Sequence, residues 1–230
     1  MRAPLVFSWS GGKDSAMALH AVLEDPAFEV TALLTTVTEG FERVSMHGVT
    51  RELLHRQAES IGLPVEEVRI PRQCPNAVYE ARMAEALRRF RERGIRKVGF
   101  GDIFLEDLRA YREEKLFEAN MTAIFPIWKV DTRELVWRFL ENRFRAIAVT
   151  IDPAKLDRSF AGRELDLSFF RDLPAGVDPC GENGEFHSFA FAGPIFHAAI
   201  PIEVGPVVER DAFVFCDLRL RKEGGARPLL

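Results

Sequence analysis

Short apolar runs alternate with longer amphipathic segments through the first half of the chain. Residues 4–9 (PLVFSW) are rich in strand formers and run into a glycine turn. Residues 14–25 follow with Met17, Leu19, Val22 and Leu23 at helical spacing. Residues 29–37 (EVTALLTTV) read as a buried strand, and 49–62 as a helix closed by Gly62. The next strand is 65–70, ended by Pro71. Residues 75–94 open on a proline and close on a glycine, the usual asymmetry of a helix. A short strand at 96–102 leads into a strongly charged helix reaching about Glu118. Strand and helix in this alternation predict an α/β fold, a parallel sheet with helices on both faces.

The pattern changes after residue 121. One more helix is expected at 131–144 and a strand at 146–151. From 174 onward proline and glycine become frequent, and 188–192, 198–204 and 211–221 read as antiparallel strands. The expectation is therefore a main domain at 1–121 and a smaller mixed α+β domain at 122–230. The last residues, 222–230, read as a loose tail.

At 230 residues the chain can bury a core without covalent staples. Its net charge of −4 makes bulk attraction to nucleic acid or anionic lipid the exception. The longest apolar runs, such as 30–37, are far shorter than a membrane span, and the first residues lack the apolar core of a signal peptide. Three dispersed cysteines, Cys74, Cys180 and Cys216, argue against a disulfide framework or a paired-cysteine zinc site and for a reducing cytoplasm.

Ser10-Gly11-Gly12-Lys13-Asp14-Ser15 lies between the first strand and the first helix. A helix start offers unpaired N–H groups and the positive end of a dipole. Gly11 and Gly12 lack Cβ, so amides can come close to phosphate oxygens. Ser10 and Ser15 add hydroxyls, and Lys13 supplies a mobile positive charge. Asp14 either caps the helix or helps hold Mg²⁺, directly or through water. The plainer alternative is a tight turn with an ordinary cap. The spacing is neither that of the Walker loop nor that of the dinucleotide turn.

Two further stretches carry candidate chemistry. Phe100-Gly101-Asp102-Ile103 sits at the carboxyl end of a strand, where ligands of open α/β sheets lie. Asp102 either faces a nucleotide or its metal, or caps the following helix. Arg109 and Arg112 share one side of that helix and are candidates for an anion, against the commoner alternative of a solvated Arg/Glu face. Downstream, the last eight residues of Asp178-Pro179-Cys180-Gly181-Glu182-Asn183-Gly184-Glu185-Phe186-His187-Ser188 gather two glycines, two carboxylates and a histidine. Glu182 and Glu185 are candidates for Mg²⁺ or an amine, and His187 for a proton acceptor. Cys180 reads as an apolar filler more readily than as a nucleophile. His47 lies just beyond the second strand's end, at the expected nucleotide face, while His20, His55 and His197 read as structural.

Residues 10–15 resemble the S-G-G-x-D-S loop of the N-type ATP pyrophosphatases. With Trp128 in FPIWKVDT and the 181–186 block, the chain resembles the diphthine–ammonia ligase family of that superfamily. The resemblance implies a Rossmann-like parallel sheet of the adenine nucleotide α-hydrolase type, which agrees with the alternation above, and an ATP- and Mg²⁺-dependent amidation. A substrate carboxylate is adenylated with release of pyrophosphate, and ammonia or an amine then displaces AMP. Carried over by position, Ser10, Gly11, Gly12, Lys13, Asp14 and Ser15 hold the phosphates, with His47, Gly101 and Asp102 beside the nucleotide. Lys13, Asp14, Glu182, Glu185 and His187 form the catalytic set. Arg109, Arg112, Gly181, Glu182, Gly184 and Glu185 shape the acceptor side. The chain reads Glu185-Phe186-His187-Ser188 where members that amidate diphthine read E-Y-E-T, so it resembles the bacterial-type branch and its acceptor differs. A homodimer is compatible with this reading. Two competing readings stay open: a tRNA-modifying enzyme using the arginines between 82 and 96, and a nucleotide-binding module without turnover.

Overall fold

The computed structural model describes residues 1–40, 43–44, 49–210 and 212–221. Elements run β1 (Ala3–Ser8), α1 (Lys13–Glu24), β2 (Phe28–Thr38), β3 (Arg43–Val44), α2 (Arg51–Ile61), β4 (Val65–Ile70), α3 (Asn76–Glu92), β5 (Lys97–Gly99), α4 (Glu106–Glu118) and β6 (Thr122–Ile124). They continue with α5 (Thr132–Glu141), β7 (Arg145–Ile151), a 3₁₀ turn (Arg158–Phe160), α6 (Leu167–Asp172), β8 (Phe186–Ala192), β9 (Ile202–Arg210) and β10 (Phe213–Leu220).

The first sheet is α/β, as the alternation predicts. Long β2 pairs with β1 through its first half and with β4 through its second, while β1 pairs with β5 and β5 with β6, all in parallel. Only two-residue β3 runs antiparallel, at the far end of β2. Leu5, Val6 and Phe7 are all fully buried, as expected of a strand covered on both faces. Alternation sends them to opposite sides. Val6 joins Leu34 and Val98 beneath α3 and α4, with Leu87, Phe90 and Leu116 packed on them. Leu5 and Phe7 join Leu33 beneath α1 and α2.

The second sheet is antiparallel, in the order β8-β7-β10-β9. Its core is continuous with that under α1 and α2: Phe139, Ala148, Phe189 and Val214 belong to the same buried cluster as Leu5 and Phe7. At the junction the Ala190 N–H donates to the Gly11 carbonyl at 2.8 Å. Gln57 of α2, 1 % exposed, completes the joint. Its Nε2 donates to the carbonyls of Gly11 (2.9 Å) and Ala190 (2.6 Å), and its Oε1 accepts from Trp9 Nε1 (3.0 Å).

Several boundaries differ from expectation, each for a local reason. β6 has only three residues, too few to show a period, and forms because β5 offers it a parallel edge. α5 stops at Glu141 because Asn142 caps it and Arg143 takes a positive φ of 57°. Residues 198–200 are not strand: Ser60 of α2 holds Ala198 through both its N–H and its carbonyl. His47 and the 222–230 tail lie outside the described residues.

Gln57→Ala should lower unfolding stability by about 2–4 kcal/mol, because it strands a buried indole N–H and a buried carbonyl. Chemical denaturation monitored by tryptophan fluorescence checks this; a loss below about 0.5 kcal/mol would contradict the role of the joint.

Candidate active site

The loop after β1 turns through Gly11, at φ +81°, into α1. A Cβ there would lie 2.7 Å from Gln57 Oε1, so the position excludes a side chain on both conformation and space. Ser10 Oγ lies 2.8 Å from Ser15 Oγ and accepts from the Gly12 N–H (3.2 Å). The Lys13 N–H donates across the sheets to Ser188 Oγ (3.1 Å). The amides at the start of α1 are therefore held by hydroxyls, which an anion can replace.

Lys13 is not the mobile charge that its position in a loop suggests. It is 2 % exposed, and its Nζ donates to both Asp14 carboxylate oxygens (2.7 and 2.8 Å) and to the Cys180 carbonyl. The Phe186 ring lies 5.4 Å away. Burial works against its charge, but the Asp14 carboxylate outweighs that and holds the ammonium above its ordinary pKa. Asp14 does not cap α1: Gly12 is the cap residue and no side chain caps it, because the Asp14 carboxylate is turned to Lys13.

The end of β5 closes on this turn. A Cβ at Gly101 would come within 2.9 Å of the Ser15 nitrogen, so glycine allows the strand end to touch the first turn of α1. Asp102 is buried and pairs with Arg112: Nη2 donates to Oδ1 at 3.1 Å, and Nε lies 2.7 Å from Oδ2 as an ion-pair contact outside hydrogen-bond geometry. It does not cap α4, whose cap residue is Leu105. Arg112 lies over Phe100, 4.4 Å from the ring centre. Arg109 parts company with it: its guanidinium stacks on Phe125 and Trp128 and its Nε donates to Glu113. Arg109 and Trp128 are thus absent from the cleft lining that Arg112 joins.

The segment from Asp178 to Ser188 covers the other side. Glu182 crosses to the first sheet, its Oε1 accepting from the Ile103 N–H at 2.9 Å. Burial, with the nearby negative charges of Asp14 and Asp102, pushes its carboxyl up to about 7 against the effect of that hydrogen bond. Glu185 and Gly184, expected on the acceptor side, do not line the cleft. Glu185 is buried inside the loop, where its Oε1 accepts from the Asp178 N–H (3.1 Å) and Asn183 Nδ2 (3.2 Å). Gly184 makes the turn beside Lys155. His187 lines the cleft, and burial together with the Lys13 charge lowers its pKa, so it stays neutral at physiological pH. Burial pushes the Cys180 thiol far up, which removes it as a thiolate nucleophile.

These groups enclose a cleft of about 310 Å³ lined by Ser10, Lys13, Asp14, Asp102, Glu182 and His187, among others. A second cavity of about 560 Å³ opens beside it at the carboxyl ends of β1, β2 and β4. Thr35, Thr36, Ile70, Cys74 and Tyr79 line it, and it shares Ser8, Ser10 and Arg112 with the cleft. No local pattern marks Gln57, Thr35 or Tyr79, since only the parallel order of the strands brings them to the turn. Among the described residues no group of three or more His, Cys, Asp or Glu side chains is arranged to hold a metal ion.

A parallel sheet with a serine–glycine turn after its first strand, facing a cleft at the strand ends, defines a nucleotide-binding protein of the pyrophosphate-loop class. The chain belongs to the diphthamide synthase family: residues 3–119 match the model of the diphthamide synthase N-terminal domain and 131–220 that of its C-terminal domain. Among curated relatives, a mouse protein named diphthine–ammonia ligase is 24% identical over 90% of this chain and 85% of its own length. A Schizosaccharomyces pombe protein of the same name is 24% identical over 92% of this chain, which spans only 38% of that larger protein. Among solved structures, the U34-tRNA thiolase NcsA from Methanococcus maripaludis, determined with its [4Fe-4S] cluster, is 16% identical. It aligns with a TM-score of 0.37 over 61% of this chain and 57% of its own, too distant a likeness to bear on function.

Glu182 generates a pH prediction. Its carboxyl titrates near 4.5 in the unfolded chain and about 7 in the folded one, so the folded state binds the extra proton and stability falls as pH rises between those values. Without nucleotide or metal, Glu182→Gln should match the parent at pH 4 and exceed it by about 1–2 kcal/mol at pH 8. Parallel thermal melts across that range check it; a constant difference would contradict the assignment.

Proposed function

We propose that this protein is an ATP-dependent ligase that adenylates an acceptor carboxylate with release of pyrophosphate and then passes the acyl group to ammonia or an amine with release of AMP. The observation that carries this reading is the closure of Glu182, His187 and Ser188 over the first turn of α1 in a chain of this family. The relatives' names support the same reaction class.

The outer two phosphates sit on the N–H groups of Gly12 and Lys13, taking the place of Ser10 Oγ and Ser188 Oγ, with the Lys13 ammonium behind them. Ser15 and Gly101 shape the turn, and the adenosine occupies the adjoining cavity between Thr35 and Tyr79. An acceptor carboxylate oxygen attacks the α-phosphorus, the bond to the β-phosphate oxygen breaks, and pyrophosphate leaves. Ammonia then attacks the acyl carbon and the bond to AMP breaks. Glu182, whose carboxyl titrates at about 7, and the neutral His187 both stand on the cleft wall, where they can accept the proton released. The covering loop keeps water from the mixed anhydride.

Mg²⁺ fits this site as a nucleotide-borne ion. The cleft offers hard carboxylate oxygens from Asp14, Asp102 and Glu182, and such sites use one or two carboxylates plus substrate phosphates. When bound there it would neutralise charge on the departing pyrophosphate. We assign the nucleotide to the 1–121 part and the acceptor side to 122–230. Phe186-His187-Ser188 support our reading of the chain as one of the bacterial-type branch, with an acceptor other than diphthine. The three free thiols suit a cytoplasmic setting, and no helix among the described residues is long and apolar enough to cross a membrane. On α3 and at its C-terminal cap, Arg88, Arg89 and Arg93 are each paired with glutamates, which weakens the case for a nucleic-acid surface there.

Incubation with Mg·ATP, ammonium and pooled carboxylate metabolites should release pyrophosphate and AMP in equal amounts. Lys13→Ala, Asp14→Ala and the shape-conserving Asp14→Asn should each cut that rate by about 100-fold or more, with the fold intact by circular dichroism. Release of orthophosphate, or full activity in all three variants, would contradict the proposed bond cleavage.

A further inference from the structure

A third cavity, also about 560 Å³, lies between α3 and α4 and reaches down to Leu34 and Val98 of the parallel sheet. It exists because α3 turns Ala77, Ala81 and Ala84 toward it, side chains too short to fill the gap to α4. Polar crossbars keep its walls apart. Tyr111 and Lys115 of α4 both reach Glu80 of α3, at 3.3 and 3.2 Å, and Arg91 donates to the Ala119 carbonyl. The volume falls in the range of small-molecule sites. It meets the cleft and the strand-end cavity at two residues that line all three spaces, Ser8 and Arg112.

Arg112 gives this junction its chemistry. Asp102 holds Nη2 by a hydrogen bond and Nε by an ion-pair contact, and the Phe100 ring lies against the guanidinium, so the group is fixed. The remaining nitrogen, Nη1, has no protein partner among the described residues and is free to donate to an anion. On the slot's lining, cationic side chains (Arg88, Arg91, Arg112, Lys115) outnumber carboxylates (Glu80, Glu118). An apolar slot that ends on a fixed guanidinium beside a phosphate cleft is complementary to one kind of occupant.

We propose that the α3–α4 slot is the acceptor pocket: it takes the apolar body of a small carboxylic acid, whose carboxylate Arg112 Nη1 receives next to the phosphate cleft. This rests on the ligase reading above and narrows it from any carboxylate to an aliphatic or aryl one; it also moves the body of the acceptor into the 1–121 part, leaving 122–230 to supply the loop over its reacting carboxylate. Arg112 is then a binding residue for the group that reacts, and α3 supplies the specificity.

The test uses phenylbutyrate as probe, titrated by calorimetry into full-length protein saturated with Mg²⁺ and α,β-methylene-ATP, whose bridge cannot be cleaved. Ala84→Trp and Ala81→Trp each put an indole into the slot from a solvent-exposed position on α3, where the fold tolerates bulk. The wild-type protein should bind the probe, and each tryptophan should weaken it by about tenfold or more while the nucleotide analogue's affinity stays within about twofold. The neutral phenylbutyramide should bind the wild type about tenfold more weakly than the acid. Probe binding that ignores both tryptophans, or no probe binding by protein that holds the analogue, would overturn the proposal. Loss of the analogue in the tryptophan variants would give the slot to the nucleotide and overturn it equally. Failure of the wild type to bind the analogue at all would instead remove the ligase reading, and this inference with it.

Discussion

The carbonyl oxygen of Gly11 accepts from two directions, from the Ala190 N–H of the antiparallel sheet and from Gln57 Nε2 of α2. That oxygen belongs to the turn whose amides face the cleft, so the serine–glycine turn and the joint between the sheets are one construction. The Gly11 backbone must be left-handed to present its carbonyl inward and the following N–H groups outward, and glycine adopts that conformation at little cost. Gln57 is fully satisfied while it does this, which makes a buried amide stabilising where an unpaired one would be costly.

From that joint the electrostatics of the cleft follow. Ser188 and Cys180, carried by the second half of the chain, reach the Lys13 N–H and ammonium of the first. Glu182 reaches back to the Ile103 N–H. Cross-links of opposite polarity therefore tie the covering loop to the parallel sheet. They also collect Lys13, Asp14, Asp102, Arg112 and Glu182 in a small, partly dry volume. Low dielectric strengthens each pair there and shifts the groups with weak partners, which is why Glu182 titrates near neutrality while Lys13 stays charged.

The two arginines of α4 illustrate how a helix divides labour over one turn. Arg112 and Arg109 lie three residues apart, yet one is drawn to buried Asp102 and the other to the faces of Phe125 and Trp128. Helical spacing brings residues to one side of a helix, but the partner that each long side chain finds decides where its charge ends up. Glu182 and Glu185 divide similarly. The first reaches across to Ile103, and the second is spent on the Asp178 N–H that shapes its own loop.

Much of this was legible in the order of residues alone. Buried parallel strands need unbroken apolar runs, and the helices between them need a 3.6-residue period and stop signals, so β1, β2, β4 and α1 to α5 could be read directly. The Ser10–Ser15 turn was equally plain, because a tight turn from a strand into a helix needs small residues and glycine at fixed positions. Tertiary structure alone decided what depends on distant partners. Three-residue β6 exists by virtue of β5's free edge, Gln57 matters through Gly11 and Ala190, and Lys13 is immobilised by a carbonyl 167 positions downstream. The slot between α3 and α4 belongs with these. Its alanines look like ordinary helix formers until α4 is set beside them, because an unfilled volume is a property of two surfaces and leaves no mark on either sequence.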